Sequence, residues 1–575
     1  MTDTRKTGDY TKRRWLLLGL YLIGMSGLLW RAVDLQVLNK GFLQNHGDAR
    51  SVRIVEIPAH RGMITDRNGD PLAISTPVSS IWVTPRDLIL SGISLQPLAR
   101  LLDMSESELM TMLKDRITRE FVYLKRHVDP ELSEKIMSLD IPGVALQREF
   151  RRYYPSGEVT SHVIGFTNVD DVGQEGLELA YDKWLNGKPG SKRVLKDRLG
   201  RVVENIESIE ETDPGKTLQL SIDRRVQYLA YRELKSAVNI NKALGGSLVM
   251  LDAKSGEVIA MVGQPSYNPN NRSGLKSQYY RNRAVTDVFE PGSTIKPFTI
   301  AAALESGLYK PDSSIDTHPG YFKVGEHTIR DARDYGVIDV STVIKKSSNV
   351  GASKIALSLE PENIWDTFRN IGFGQTTGSG FPGESAGYMN SYSNWSEVEL
   401  ATAAFGYGIS VTALQLAQAY LVLATGGELL PISFHKVTKP VEGKRIISSN
   451  IANQLLTMLE SVVNKGGTGQ QASVNGYRIA GKTGTVHKSE VGGYSENRYL
   501  SLFAGIAPVS DPRLVMVVII DEPGGQYYYG GQVAAPIFSN VMSGALRLFN
   551  INPDNFPVLK GHIIADTTDM GEKNR

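Results

Sequence analysis

Ser293 and Lys296, three residues apart in FEPGSTIKPFTIAAALE (residues 289–305), are the right types at the right spacing for acyl transfer. On a helix they share one face, where a neutral amine takes the hydroxyl proton and frees the oxygen to attack a carbonyl. Pro291-Gly292 breaks the chain just before the serine, and a helix-forming run follows in which Pro297 is tolerable only near a helix start. A serine at that point also has a plainer use as a helix cap. The same free N–H groups and positive potential suit a carbonyl oxygen that turns negative during attack. The tetrapeptide alone does not choose between these readings, because Ser273/Lys276 and Ser433/Lys436 repeat the spacing. Both of those, however, lie in turn-rich stretches that open no helix.

Two further motifs follow in chain order. Ser347-Ser348-Asn349 lies in STVIKKSSNVGASKIAL, and Lys482-Thr483-Gly484-Thr485 lies in RIAGKTGTVHK. Each has copies elsewhere: Ser448/Asn450, Ser473/Asn475 and Ser495/Asn497 match the second motif, and Lys6-Thr7-Gly8 matches the third. The ordered set in its contexts is specific: serine at a helix start, Ser-x-Asn at a helix–helix turn, Lys-Thr-Gly on a strand flanked by glycines. Enzymes that acylate a serine with a lysine base carry these three motifs in this order. One rival stands against them. Gly383-Glu384-Ser385-Ala386-Gly387 matches the nucleophile elbow of hydrolases, with His435, His487 and His562 as downstream bases. An elbow needs a strand before it and a helix after it, and here a glycine-rich loop and a turn-prone stretch flank it. The nine histidines show no metal-ligand spacing, so neither a metal nor a cofactor is expected.

The elements that must position these motifs begin at a membrane. Arg5, Lys6, Lys12, Arg13 and Arg14 precede WLLLGLYLIGMSGLLW (residues 15–30), an uncharged run with tryptophan at both ends. Its extension through Ala32, Val33, Leu35 and Leu38 predicts an uncleaved anchor over residues 15–38, with residues 1–14 in the cytoplasm and the rest outside. No clear cleavage site follows, which argues against a removed signal peptide. The 63 basic and 61 acidic residues nearly cancel, which argues against nucleic acid, and the lack of cysteine excludes disulfides and thiolate sites.

Residues 39–214 read as an elongated α/β pedestal: strands with an Asn68-Gly69 hairpin turn, short amphipathic helices at SESELMTMLKDRI and PELSEKIMSL, a helix within residues 173–190 closed by the Asn186-Gly187-Lys188-Pro189-Gly190 turn, then charged strands. A boundary is expected near Thr212-Asp213-Pro214-Gly215. Residues 215–557 read as a larger domain, an antiparallel sheet flanked by helices, built from a hairpin in GGSLVMLDAKSGEVIAMVG and β-rich runs near RIAGKTGTVHK and LSLFAGIAPVSDPRLVMVVIIDEP. Residues 558–575 read as a flexible polar tail. The fold class is α+β, multidomain, behind one transmembrane helix.

With RGMITDRNGDPLA, RRYYPSGEVTSHVIGF, FEPGSTIKPF, FPGESAG, AGKTGT and DEPGGQYYYGGQVAAPIF, the chain resembles the class B penicillin-binding proteins over about residues 15–550, nearest to their division-specific branch. The resemblance implies a D,D-transpeptidase that cross-links peptidoglycan stem peptides at the septum through a serine acyl-enzyme, with β-lactams as covalent inhibitors. It implies Ser293 as nucleophile, Lys296 as base, Ser347 as proton donor to the leaving D-alanine, and Asn349 holding the substrate amide and Lys296. Lys482 adds positive potential, Thr483, Gly484 and Thr485 bind the substrate carboxylate, and the N–H groups of Ser293 and Thr485 form the oxyanion hole. A membrane glycan polymerase and other division proteins are the implied partners, through anchor and pedestal. An elongation-type transpeptidase, a β-lactam sensor and a β-lactamase are the alternatives.

Overall fold

LVMVVIID is apolar on both faces, the pattern of a strand covered on each side, and in the computed structural model it runs through the middle of a five-stranded sheet. The structure describes residues 11–41, 52–196, 202–490 and 493–555. The expected C-terminal tail, most of the cytoplasmic segment and the Lys6 and His562 alternatives lie outside the described residues.

The sheet consists of β1 (Gly245–Asp252), β2 (Val258–Gln264), β3 (Ala480–Glu490), β4 (Gly493–Ala507) and β5 (Leu514–Asp521), in the order β2-β1-β5-β4-β3 and antiparallel throughout. The hairpin and the two β-rich runs expected from sequence all belong to it. Gly256 turns the first hairpin at φ +73°, where a Cβ would lie 2.2 Å from the Pro431 carbonyl oxygen, so no side chain fits. Six helices matter to the site: α1 (Arg224–Ile240), α2 (Lys296–Glu305), α3 (Val340–Lys346), α4 (Asn349–Leu357), α5 (Ala413–Ala424) and α6 (Gly530–Leu548).

One face of the sheet packs Leu248, Met250, Phe503 and Val518 against Val226 and Leu234 of α1 and Phe538 and Val541 of α6. The other packs Val249, Val517, Leu502 and Val486 with Phe298 of α2 and with α5, every residue of which is buried. Each such large side chain contributes roughly 1.5–3 kcal/mol on burial, and together they hold α2 and β3 rigidly. That rigidity is what a preorganised site requires.

The chain divides into two compact units, residues 61–75, 152–186 and 216 onward forming the one that carries the sheet. It thus includes two segments that a linear boundary near residue 214 leaves with the pedestal. Composition read along the chain cannot reveal such returns: Ile64 pairs with Leu218 in parallel, across most of the intervening sequence. The helix expected before the turn at Asn186 ends there, at Leu185, but is two short ones, Gly176–Ala180 and Asp182–Leu185, separated at Tyr181. With that break, Glu178 and Asp182 both reach Arg61, at 2.8 Å each.

The other unit has its own core of Val83, Leu98, Leu109 and Leu113. Its helix Glu106–Lys114 is closed by a capping box between Ser105 and Glu108. Strands Val52–Ile57, Gly190–Lys196 and Val202–Glu210 form a three-stranded antiparallel sheet. The N-terminal helix spans Thr11–Val33, begins four residues before the expected anchor, and continues as a wider turn over Asp34–Leu38. It is long and apolar enough to cross a membrane.

Candidate active site

Gly292 sets the entry to the site. Its φ is +52°, and a Cβ there would stand 2.4 Å from Val486 Cγ2 on β3, so only glycine lets the chain pass this close to the strand. Residues Gly292–Ile295 form one tight 3₁₀ turn, and the α-helix begins at Lys296. Ser293 therefore precedes α2 and does not start it, because the wedge against β3 tightens the first turn. The turn is pinned by Thr294 Oγ1–H to the Pro291 carbonyl at 2.6 Å and by Tyr420 O–H to the Thr294 carbonyl at 2.9 Å. Ser293 is half-buried, and its hydroxyl caps nothing: it makes no hydrogen bond with any described residue. The capping alternative is gone.

The Ser-x-Asn motif sits at the expected helix–helix turn. Ser347 ends α3 in the left-handed region at φ 60°, and Ser348 caps α4, its Oγ accepting from Gly351 N–H at 2.8 Å. This abrupt junction points Ser347 and Asn349 at Lys296. Lys296 Nζ donates to the Ser347 carbonyl at 2.6 Å, to Asn349 Oδ1 at 2.7 Å and to Ser347 Oγ at 3.2 Å. From the other side Lys482 Nζ donates to Ser347 Oγ at 2.9 Å and to the Thr483 carbonyl at 3.2 Å. Two lysines thus meet on one hydroxyl. No hydrogen bond joins Lys296 Nζ to Ser293 Oγ; the amine rests on the Ser-x-Asn motif.

Both lysines are fully buried. Burial pushes Lys482 down to about 7 from 10.5. Burial also pulls Lys296 well below its ordinary value, the positive charge of Lys482 pulls it lower, and Asp331 opposes both. A lysine lowered in this way has more of its neutral form available to accept a proton, which is what a Ser-Lys pair needs.

Thr483 Oγ1 lies 2.8 Å from Thr468 Oγ1, and Thr485 Oγ1 accepts from Gly530 N–H at 3.0 Å. Gly484 packs against the turn that bears Ser293, a Cβ there meeting Thr294 Cγ2 at 3.1 Å. The structure thus brings Ser347, Asn349, Lys296 and Lys482 into one hydrogen-bonded cluster and packs β3 against the turn bearing Ser293.

Sequence reasoning missed Asp331. Its Oδ1 accepts from Asn349 N–H at 2.5 Å and Val350 N–H at 3.0 Å, and its Oδ2 accepts from Ser348 O–H at 2.6 Å. It closes the start of α4 and is the carboxylate whose charge bears on Lys296. An aspartate in IRDARDYG carries no spacing signal; only the fold brings it to the motif. Glu290 was missed too: its Oε1 accepts from Gly408 N–H at 2.7 Å and Tyr494 O–H at 3.0 Å, bracing the approach to Ser293.

Ser385 fails as a rival. Its hydroxyl accepts from Gly387 N–H at 3.2 Å within its own turn, while His435 packs on Tyr181 and His487 Nδ1 lies against the Ser495 carbonyl. No described histidine reaches it.

The penicillin-binding protein transpeptidase domain model matches residues 246–543, and the penicillin-binding protein dimerisation domain model matches residues 56–220. The chain belongs to the penicillin-binding proteins. It is 45% identical over 544 residues to peptidoglycan D,D-transpeptidase FtsI of Escherichia coli K12, covering 94% of this chain and 92% of that one. It is 41% identical over 540 residues to the probable peptidoglycan D,D-transpeptidase PbpC of Pseudomonas aeruginosa, covering 94% and 96%. Among solved structures it is similar to the TP domain of Burkholderia pseudomallei penicillin-binding protein 3, with TM-score 0.55 and 41% identity over 59% of this chain and 98% of that one. It also resembles Mycobacterium tuberculosis penicillin-binding protein 3 complexed with aztreonam, with TM-score 0.68 and 28% identity over 87% and 98%.

Proposed function

We propose that this penicillin-binding protein is a serine-type peptidoglycan D,D-transpeptidase of the division-specific kind, anchored by its N-terminal helix with the catalytic unit in the periplasm. The observation that carries the reading is the convergence of two buried, pKa-depressed lysines on Ser347 Oγ beside the turn that bears Ser293.

The chemistry follows from those groups. A stem peptide lays its terminal D-Ala-D-Ala along the edge of β3, its carboxylate facing the Thr483 and Thr485 hydroxyls and the charge of Lys482. Ser293 Oγ attacks the carbonyl between the two alanines and passes its proton to neutral Lys296, while the N–H groups of Ser293 and Thr485 stabilise the oxyanion. The C–N bond breaks as Ser347, in contact with both amines, hands a proton to the departing D-alanine nitrogen, and that proton is replaced from Lys296. An amine of a second stem peptide then attacks the ester, Lys296 takes the proton of that amine, and Ser293 leaves with it. One amide is broken and one is formed, so no energy source is needed. Asn349 holds Lys296 through Oδ1 and positions the substrate amide. A β-lactam enters the same path and stops at the acyl-enzyme.

The likeness to FtsI supports the septal assignment, and the basic residues before the helix support the orientation. Anchor and pedestal are the proposed contacts with a glycan polymerase and other division proteins. Depletion of the protein should give long undivided cells. Rounded cells would assign it to the elongation branch.

A further inference from the structure

A cavity of about 330 Å³ opens in the catalytic unit on the sheet face that also carries Val486 and Leu502. Its floor is Ser247 of β1, Ile519 of β5 and Leu500 of β4, with Ser247 directly opposite Ile519 in the ladder. Lys488, further along β3 from Lys482, forms one side, and Arg281, Arg283, Asp287, Val288 and Phe289 form the other. Leu244 and Val288 line it while remaining exposed, so apolar surface faces an open space.

Its charges are unevenly matched. Three cations, Arg281, Arg283 and Lys488, face two carboxylates, Asp287 and Asp521. Asp287 is shared by Arg281 at 2.9 Å and Arg283 at 3.0 Å, and Asp521 by Lys488 at 2.8 Å and, more loosely, Arg283 at 3.9 Å. Lys488 also holds Glu522, which lies outside the lining. Among the described residues the Arg283 side chain makes one hydrogen bond, from Nη1 to Asp287, although it is only 18% exposed. A guanidinium has five N–H groups in a planar fork that matches a carboxylate. Most of this fork is unspent.

We propose that this cavity is a second ligand site, for a small carboxylate with an apolar body, its acid group on Arg283 and its body against Leu244, Val288, Phe289 and Ile519. The volume is at the lower end of small-molecule sites, which suits a single ring or a branched aliphatic acid. Such an occupant bears on catalysis without touching it. Phe289 is tied to Val411 by two backbone hydrogen bonds and leads through Glu290 to Ser293, so filling the cavity stiffens the approach to the nucleophile.

The test is a fluorine NMR titration of 4-(trifluoromethyl)benzoate against the full-length chain in lipid nanodiscs, before and after Ser293 is acylated with a penicillin. The expected result is saturable broadening with a Kd of about 1 mM, retained after acylation, and weakened roughly tenfold by Arg283→Gln. Should Arg283→Gln fail to fold, Leu244→Trp, at an exposed position, crowds the cavity and should weaken the probe likewise. Absence of saturation by about 10 mM overturns the proposal. So does displacement of the probe by penicillin, which would place it in the acylation site, or an affinity that the folded variants leave unchanged.

Discussion

Arg61, Arg152 and Glu178 are as deeply buried as Lys296 and Lys482, yet the first group is neutralised in place and the second is not. Arg61 is held by Glu178 and Asp182 at 2.8 Å each, and Arg152 by the other oxygen of Glu178 at 2.6 Å. Charges there nearly balance, although Arg152 Nη2 is buried without a hydrogen-bond partner among the described residues. The lysine pair instead rests on neutral acceptors, Ser347, Asn349 and the Thr483 carbonyl, with Asp331 acting at a distance. A cluster that serves folding pairs its ions, because an unpaired buried charge costs several kcal/mol. One that serves chemistry leaves them short of counter-ions, and the penalty appears as depressed pKa values.

That contrast can be broken at either cluster. The largest effect belongs to the lysine side: Ser293→Ala should abolish labelling by a fluorescent penicillin, and Lys296→Ala should slow acylation by roughly three orders of magnitude with the unfolding midpoint little changed. Glu178→Gln should do the reverse. It leaves two buried arginines undercompensated and should cost about 3–5 kcal/mol of stability in denaturant melts, while the folded fraction still acylates.

Asp331→Asn lies between the two. It removes charge near Lys296 and, with its Oδ1 kept on the backbone N–H groups, puts an NH2 where Ser348 O–H needs an acceptor, so acylation should fall roughly ten- to a hundredfold in stopped-flow labelling with a small change in melting. A subtler test uses pH. Folded Lys482 titrates at about 7 against 10.5 for the free amine, so between those values the unfolded chain binds more protons and stability rises with pH. Below about 7 the folded state takes up the proton too, and this contribution to the slope vanishes. Unfolding midpoints measured across that window should rise in the natural protein and rise less in Lys482→Met. Ser385→Ala, the smallest change, should leave acylation as it is.

The lysine cluster was the more legible of the two. Its members come in short motifs whose order and contexts, a Pro-Gly break, a helix junction and a glycine-flanked strand, can be read directly. Strands β1 to β5 were legible because period and length separate buried strands from helices. Two things were not. Asp331 acts through a position that only tertiary structure brings near Asn349, and the balanced cluster joins Arg61 to residues more than a hundred positions away. Nor could the chain show that Ser293 precedes the α-helix, since the cause is the contact of Gly292 with Val486 across the fold.

Intact-mass analysis after incubation with a penicillin, followed by peptide mapping, tests the central claim most directly. A transpeptidase with its nucleophile at Ser293 should gain one acyl unit that persists for many minutes, on the peptide containing Ser293. An adduct lost in Ser385→Ala but kept in Ser293→Ala would contradict the assignment, and an adduct on Ser293 released rapidly by water would make the protein a β-lactamase.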